Sequence, residues 1–370
     1  MLSHPLLLHY YITNRCNCRC RFCDIWKTKP HQDAELSDVL LNLETARRVG
    51  VRFVDFTGGE PLLHRDLPEM LRRAKGLGYQ TSVTTNGLLY PHQAEDLSGL
   101  VDFLHFSLDA LDADLHNDLR GGKVFDKVMQ SIDCARALGE IPDLLFTVTH
   151  HNYKQIRALS LFARQLGLIL LVNPVFSHTS QHGLSEKILR ELERYSSSPY
   201  VYLNKAFHRL RRNGGNQILH PRCRVVDSTI VVSADNKVLL PCYFFSKQHI
   251  DLDAYSDYSR IEKKGNLHNR TQEHHSIEDS PPYFTTMRKT NAWKLQQRKQ
   301  GRYSFCQNCV INCYFDPSFV YKVDEYFGLS AVAKARYWWT KHVRRKMERN
   351  RLDKRPAIEI ADDIMKQYKP

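Results

Sequence analysis

Short β-rich runs alternate with helix-period segments through the first half of the chain, and this rhythm restricts the fold more than any other feature. Runs reading LLHYYI, VRFVDFT, YQTSVTT, VDFLHFSL, LLFTVTH and LILLVNPV are separated by helical patterns over 38–49, 66–77, 92–97, 125–138 and 153–166. Strands followed by helical patterns of about 10–15 residues build βαβ units around a parallel sheet. Helix-end signals agree: Ser37 is placed to cap the first helix, and Gly50, Gly78, Gly139 and Gly167 follow helical segments where a C-terminal glycine belongs. Six such units predict an α/β chain, either a partial (β/α)6 barrel or an open doubly wound sheet. In both, chemistry gathers at the carboxyl ends of the strands.

The rhythm stops near Phe176. A polar stretch, 177–183, precedes two helical segments that reach about Arg212, and NGGN then introduces a different module beginning at Cys223. Its hairpin-like STIVVSADNKVLLPC turns at Asp235–Asn236. The expected division is a core over 1–176, a helical connector over 177–222, a smaller cysteine-rich domain over 223–320 and a basic helical tail over 321–370. Charge is concentrated in that tail: of a net +13, a segment from Lys334 to Arg355 carries ten Lys or Arg against two acids. The body is only mildly basic. The opening LLLHYYI lacks the basic leader, long apolar stretch and cleavage site of a signal peptide. With no run of about 18 apolar residues, the chain is expected to be cytoplasmic, with peripheral membrane contact through the tail as a further option.

Ten clustered cysteines in such a chain argue for metal or redox chemistry rather than a disulfide framework. Cys16, Cys20 and Cys23 form C-x3-C-x2-C, suited to three corners of an iron–sulfur cubane whose fourth iron stays open to a small molecule. A zinc site is the rival, although zinc sites usually pair C-x2-C with a second ligand pair. Cys18 is a surplus thiol, which Cys20 and Cys23 could in principle recruit instead of Cys16. Cys223, Cys242, Cys306, Cys309 and Cys313 form a second group, which suits either one auxiliary cluster or a structural zinc. Cys134, on a predicted helix, reads as a buried small hydrophobe.

The first loop resembles the signature of the radical S-adenosylmethionine (radical SAM) superfamily, whose C-x3-C-x-aromatic-C pattern is met by Cys16, Cys20, Phe22 and Cys23. Later stretches fit the same family. The resemblance makes Gly58, Gly59 and Glu60 of TGGEP the cradle of the methionyl amino group. It places Ser107 and Asp109 of SLDA where the family contacts the ribose or methionyl moiety, turns Asn86 of TTNG toward the site, and brings Arg120 of LRGG to the methionyl carboxylate. It favours the partial barrel, and it implies reductive cleavage of S-adenosylmethionine to methionine and a 5′-deoxyadenosyl radical that abstracts hydrogen from a substrate. A one-electron reductase such as flavodoxin or ferredoxin is then the expected partner. Cys18 departs from the pattern, since relatives commonly carry an apolar residue there.

The second cysteine group resembles the SPASM and twitch modules that carry auxiliary clusters, with GNL at 265–267, SIEDS and AWKLQQ in matching order. Two features depart from it: Asn236 stands for the usual turn glycine, and five cysteines are too few for two fully ligated clusters. One auxiliary [4Fe–4S] cluster is therefore expected, on Cys242, Cys309 and Cys313 with Cys223 or Cys306. Substrates implied are a peptide or small biosynthetic molecule, or a lipid. A start so close to the first strand leaves no leading peptide-recognition domain and weighs slightly against a peptide. The rival from another class is a non-catalytic cluster-binding regulator that reads nucleic acid through its tail. In that tail Val332, Ala335, Trp339, Val343 and Met347 make an apolar stripe, expected to dock on the body, with membrane or an anionic partner as alternatives. The histidines, including His150–His151 and His274–His275, are expected in loops and on the surface.

Overall fold

The computed structural model describes residues 4–175, 184–252 and 283–368. Six parallel strands follow the predicted rhythm: β1 (Leu7–Thr13), β2 (Phe53–Gly58), β3 (Gln80–Thr85), β4 (Phe103–Ser107), β5 (Asp143–Val148) and β6 (Leu170–Pro174). Between them run α1 (Leu36–Arg48), α2 (Leu67–Gly76), α3 (Tyr90–Leu97), α4 (Ala113–Arg120), α5 (Phe125–Ala137) and α6 (Ile156–Leu166). Period-two alternation decides the faces. Leu8, Tyr10 and Ile12 of β1 and Leu144, Phe146 and Val148 of β5 are wholly buried. The intervening His9, Tyr11, Asp55, Ser82, Thr84 and His105 share the opposite face, the barrel interior. On α6, Ile156, Leu159, Phe162, Ala163 and Leu166 recur at three- and four-residue steps and are buried together, each large side chain contributing roughly 1.5–3 kcal/mol. Gly167 ends α6 at φ +66, a left-handed conformation that costs a residue without Cβ little.

Some boundaries differ from expectation. Glu35, not Ser37, precedes the first turn of α1, so Ser37 lies inside the helix. The helix expected over 153–166 divides into a 3-10 turn, Tyr153–Gln155, and α6. α4 was not apparent from periodicity; Asp112 starts it by accepting a hydrogen bond from Leu115 N–H at 2.9 Å. Cys134 is only partly buried.

After the barrel come α7 (Glu186–Glu193), the two-residue strand β7 (Val201–Tyr202) and α8 (Lys205–Arg212). The short helix α9 (Val225–Ser228) leads into β8 (Thr229–Val232), β9 (Lys237–Leu240) and β10 (Gln248–Asp251). The hairpin turns as expected, with Asn236 supplying positive φ (+54). Its placement is less obvious, because β8 pairs in parallel with β1. The described residues therefore form one sheet in the order β10-β9-β8-β1-β2-β3-β4-β5-β6-β7. Asn42 on α1 locks the join, donating through Nδ2 to Tyr10 Oη at 2.7 Å and Asn236 Oδ1 at 2.8 Å. α10 (Tyr283–Lys289), α11 (Asn291–Lys299) and α12 (Asn312–Ser318) follow, the first after a segment outside the described residues that contains GNL, SIEDS and His274–His275. The polar stretch 177–183 also lies outside them.

The tail is helical as expected, with α13 (Glu325–Trp339) and α14 (Ala357–Gln367). Its docking is not as expected. α13 buries Ser330 and Ala333, and Lys341 beyond it is also buried, while Val332, Trp339 and Met347 of the apolar stripe are exposed. Among the described residues, no helix is long and apolar enough to cross a membrane.

Candidate cluster and cofactor site

The loop after β1 carries Cys16, Cys20 and Cys23, and backbone bonds pin it at two ends. Gly59 N–H donates to Thr13 O at 2.9 Å and Glu60 N–H to Arg15 O at 2.8 Å. On the other side, Arg19 N–H meets Arg120 O at 3.1 Å and Arg21 N–H meets Leu119 O at 3.0 Å. The approach is so close that a Cβ on Gly58 would run into the Thr13 carbonyl, and one on Gly59 into the Arg15 carbonyl. The two glycines expected to cradle an amino group thus also let the cysteine loop lie flat on the end of β2.

The carboxyl ends of β2, β3 and β4 close around this loop. Glu60 is 2% exposed, accepting from Thr85 Oγ1 (2.7 Å) and Leu62 N–H (3.1 Å) on one oxygen and from Asn86 N–H (2.8 Å) on the other. Burial raises its pKa to about 7 despite those donors. Asn86 Nδ2 donates to Asn17 Oδ1, on the cysteine loop, at 2.6 Å. Ser107 ends β4 and is buried. Asp109 is committed within the protein: Oδ2 accepts from Arg120 Nε at 2.6 Å and Oδ1 from Thr147 N–H at 2.8 Å. Arg120 also brings Nη1 to 3.9 Å from Cys20 Sγ and lies 5.4 Å over the Phe22 ring. The surplus thiol has a place too. Cys18 points into the core, and its hydrogen bond to Cys20, together with the Arg120 charge, lowers the Cys20 pKa.

The second group assembles around Asn216, which the sequence reading passed over as part of NGGN. This residue is fully buried, and Nδ2 donates to the carbonyls of Gly301 (2.8 Å) and Cys306 (3.1 Å). Its Oδ1 accepts from the N–H groups of Arg222 (3.0 Å) and Cys223 (3.2 Å), and its backbone N–H reaches Cys309 O at 3.0 Å. The side chain and backbone N–H of this one residue therefore align the segments that carry Cys223, Cys306 and Cys309. Cys242 and Cys313 are near enough to this group to interact with it electrostatically. Burial raises the pKa of each of these thiols, Cys306 to about 11 and Cys242 to about 12. Buried thiols of this kind ionise on binding metal, as an iron–sulfur centre requires. Among the described residues, no group of three or more His, Cys, Asp or Glu side chains is already placed to hold a single metal ion. Arg211 clamps this module to the barrel, donating to Pro174 O (3.0 Å) and Asn312 Oδ1 (3.0 Å).

Between the two cysteine groups lies the barrel interior. Tyr11 stacks on Tyr243 at 3.8 Å, and Tyr314 Oη accepts from Tyr243 N–H at 3.1 Å. Below them a polar row crosses the sheet. His9 Nδ1 is 2.9 Å from Asp55 Oδ2, Ser82 Oγ donates to Asp55 Oδ1 at 2.8 Å, and Thr84 Oγ1 is 3.1 Å from His105 Nδ1. The row ends at Asp143, which Tyr337 Oη (2.6 Å) and Lys341 Nζ (3.1 Å) reach from the tail. His150 and His151 are exposed as expected, whereas His9, His64, His116 and His208 are buried. Period-two alternation could have marked His9 and His105, since each sits between apolar strand residues.

Residues 10–163 match the family model described as "Radical SAM superfamily". A probable GTP 3′,8-cyclase of Saccharolobus solfataricus is 36% identical over 167 residues, 44% of this chain and 54% of that protein, so the match spans about half of the relative's length. Another, from Sulfurisphaera tokodaii, is 29% identical over 266 residues, 66% of this chain and 83% of the relative. Two solved structures share the fold: Streptococcus suis SuiB bound to S-adenosylmethionine (TM-score 0.55, 20% identity, 82% of this chain and 78% of that one) and native anSMEcpe with bound AdoMet (0.55, 16%, 90% and 100%). Proteins of this superfamily bind a [4Fe–4S] cluster through cysteines, and both of these solved structures hold S-adenosylmethionine. The signature loop, the strand ends that close on it and the matched core identify residues 10–163 as a radical SAM domain.

Proposed function

We propose that Cys16, Cys20 and Cys23 hold the [4Fe–4S] cluster, that four of the five C-terminal cysteines hold an auxiliary one, and that the enzyme acts on a peptide rather than a nucleotide. When bound, the reduced cluster supplies the electron that splits S-adenosylmethionine into methionine and a 5′-deoxyadenosyl radical, which abstracts hydrogen from the substrate. The protein's own residues orient and shield. Arg120, held by Asp109, presents a fixed positive charge beside Cys20. Glu60, ionised above about pH 7, offers a carboxylate to an ammonium at the end of β2. Tyr11, Tyr243 and Tyr314 wall the interior with aromatic surface and exclude water.

The charge of that interior carries the substrate reading. Its ionisable row contains two carboxylates, Asp55 and Asp143, and its cations are engaged: Lys341 with Asp143, Arg120 with Asp109, Arg211 with backbone carbonyls. Hydrogen bonds from His9 and Ser82 keep the Asp55 pKa below its ordinary value in spite of burial. A triphosphate would find the named cations already paired, whereas peptide amides can hydrogen-bond along the polar row. SuiB with its precursor peptide SuiA is a structural neighbour (TM-score 0.53, 18% identity) and offers a precedent for peptide chemistry on this fold. Flavodoxin or ferredoxin suits as the electron donor.

Protein reconstituted without oxygen and reduced with dithionite is expected to make 5′-deoxyadenosine from S-adenosylmethionine. The Cys16→Ala, Cys20→Ala, Cys23→Ala triple variant should lose this activity and keep the auxiliary iron. Synthetic peptides should raise the rate and GTP should leave it unchanged; a GTP-dependent rise with consumption of GTP overturns the peptide reading.

A further inference from the structure

Tyr326, Leu329 and Ala333 of α13 pack on the body, but from Ser330 onward the helix mostly turns polar side chains toward the protein and leaves large apolar ones in solvent. Inward, Tyr337 and Lys341 both bind Asp143, Ser330 accepts from Asn204 Nδ2 at 3.1 Å, and Lys334 reaches Asp316 at 2.7 Å. Arg336 donates to the Ser196 carbonyl at 2.6 Å. Outward, Val332 is 62% exposed, Trp338 59%, Trp339 48% and, beyond the helix end, Met347 76%, with Ala331 and Ala335 exposed between them. Ordinary surface helices do the reverse. Immediately after this face come the exposed cations Lys346, Arg349, Arg351 and Lys354, none of them in an ion pair among the described residues. The nearby acids are engaged, Glu348 by the Tyr200 hydroxyl at 2.9 Å and Asp353 by Arg355 at 2.8 Å.

We infer that this face docks the enzyme on an anionic phospholipid bilayer, with Val332, Trp338, Trp339 and Met347 entering the headgroup boundary and the basic run meeting lipid phosphates. Tryptophans beside arginine and lysine suit that boundary, where one end of a side chain is apolar and the other wet. A second copy of the chain would bring the two basic runs together and meet repulsion. Nucleic acid would use the cations but leave the valine, tryptophan and methionine surface uncovered. The anchor also has a direction. Asp143 opens β5, and Lys341 packs 5.8 Å from the ring of Phe103, which opens β4. Docking therefore engages the amino ends of the strands, whereas Glu60, Asn86 and Asp109 lie past their carboxyl ends. The bilayer holds the enzyme and does not cover its mouth, so substrate arrives from the aqueous side.

Flotation of the full-length protein, purified without oxygen, with phosphatidylcholine vesicles with or without phosphatidylglycerol tests this. Binding should require phosphatidylglycerol, weaken with added salt and blue-shift tryptophan emission. Lys346→Gln and Arg349→Gln should each weaken binding about fivefold. Trp339→Ser with Val332→Ser should weaken flotation and reduce the emission shift with unchanged circular dichroism, because neither side chain is buried. Failure to float on phosphatidylglycerol vesicles, equal binding by the Trp339→Ser, Val332→Ser variant, or retention on RNA alone overturns the inference, as does a dimer that Trp339→Ser dissolves.

Discussion

Arg120 donates through Nε to Asp109 Oδ2 at 2.6 Å, and both side chains are shut off from solvent. This pair fixes α4, whose last carbonyls receive the N–H groups of Arg19 and Arg21 from the cysteine loop. Removing one partner leaves a buried uncompensated charge, which costs about 3–5 kcal/mol. Arg120→Ala is expected to lower stability by that order in urea unfolding of the metal-free protein. Adding Asp109→Asn should recover part of the loss; a double variant less stable than the single one would show that the pair is not the cause.

Asn216 makes four side-chain hydrogen bonds that hold the segment of Cys223 to the segment of Gly301 and Cys306. Each unsatisfied buried group costs about 1–3 kcal/mol. Asn216→Ala should therefore strip iron from the second group while the N-terminal site still binds it. Iron and sulfide counts, paired with the Cys16, Cys20, Cys23 triple variant, check this; full retention of iron would remove Asn216 from the role.

Glu60 gives a pH dependence with a definite sign. Its folded pKa, about 7, stands above the ordinary 4.5, so protonation favours the native state. The contribution is complete below about pH 4.5 and is lost as pH rises through 7, on the order of 3 kcal/mol in all. Comparing Glu60→Gln with wild type in thermal unfolding across that window should show the variant without this decline. An equal decline in both would assign it to another group.

The close approach of Gly59 to Arg15 predicts a local lesion. Gly59→Ala must push the cysteine loop off β2, and such overpacking costs about 1–3 kcal/mol. Iron at the first site should fall while the second group keeps its iron, read by counting iron in Gly59→Ala and in the same variant with Cys242→Ser. A variant with a full complement at the first site would show that the loop can give way.

Much of this protein is settled by local pattern. Alternation in LLHYYI or VDFLHFSL decides which side chains can face helices, and three-and-four spacing decides the buried stripe of α6, because both periods belong to the backbone itself. The proposed ligand triad Cys16, Cys20, Cys23 can be picked out in the same way, since spacing on one loop needs no distant contact. Tertiary structure decided what depends on remote partners. The parallel pairing of β8 with β1 joins residues more than two hundred positions apart. Asn216 matters because Gly301 and Cys306 come to it, and Cys18 because Cys20 does. The tail shows the division most sharply. Its apolar stripe is plain in the sequence and would ordinarily be buried, but Asp143, on a strand far away in the chain, draws Tyr337 and Lys341 inward and turns the stripe to the outside. Helical periodicity separates two faces; which of them meets the body depends on the groups waiting there.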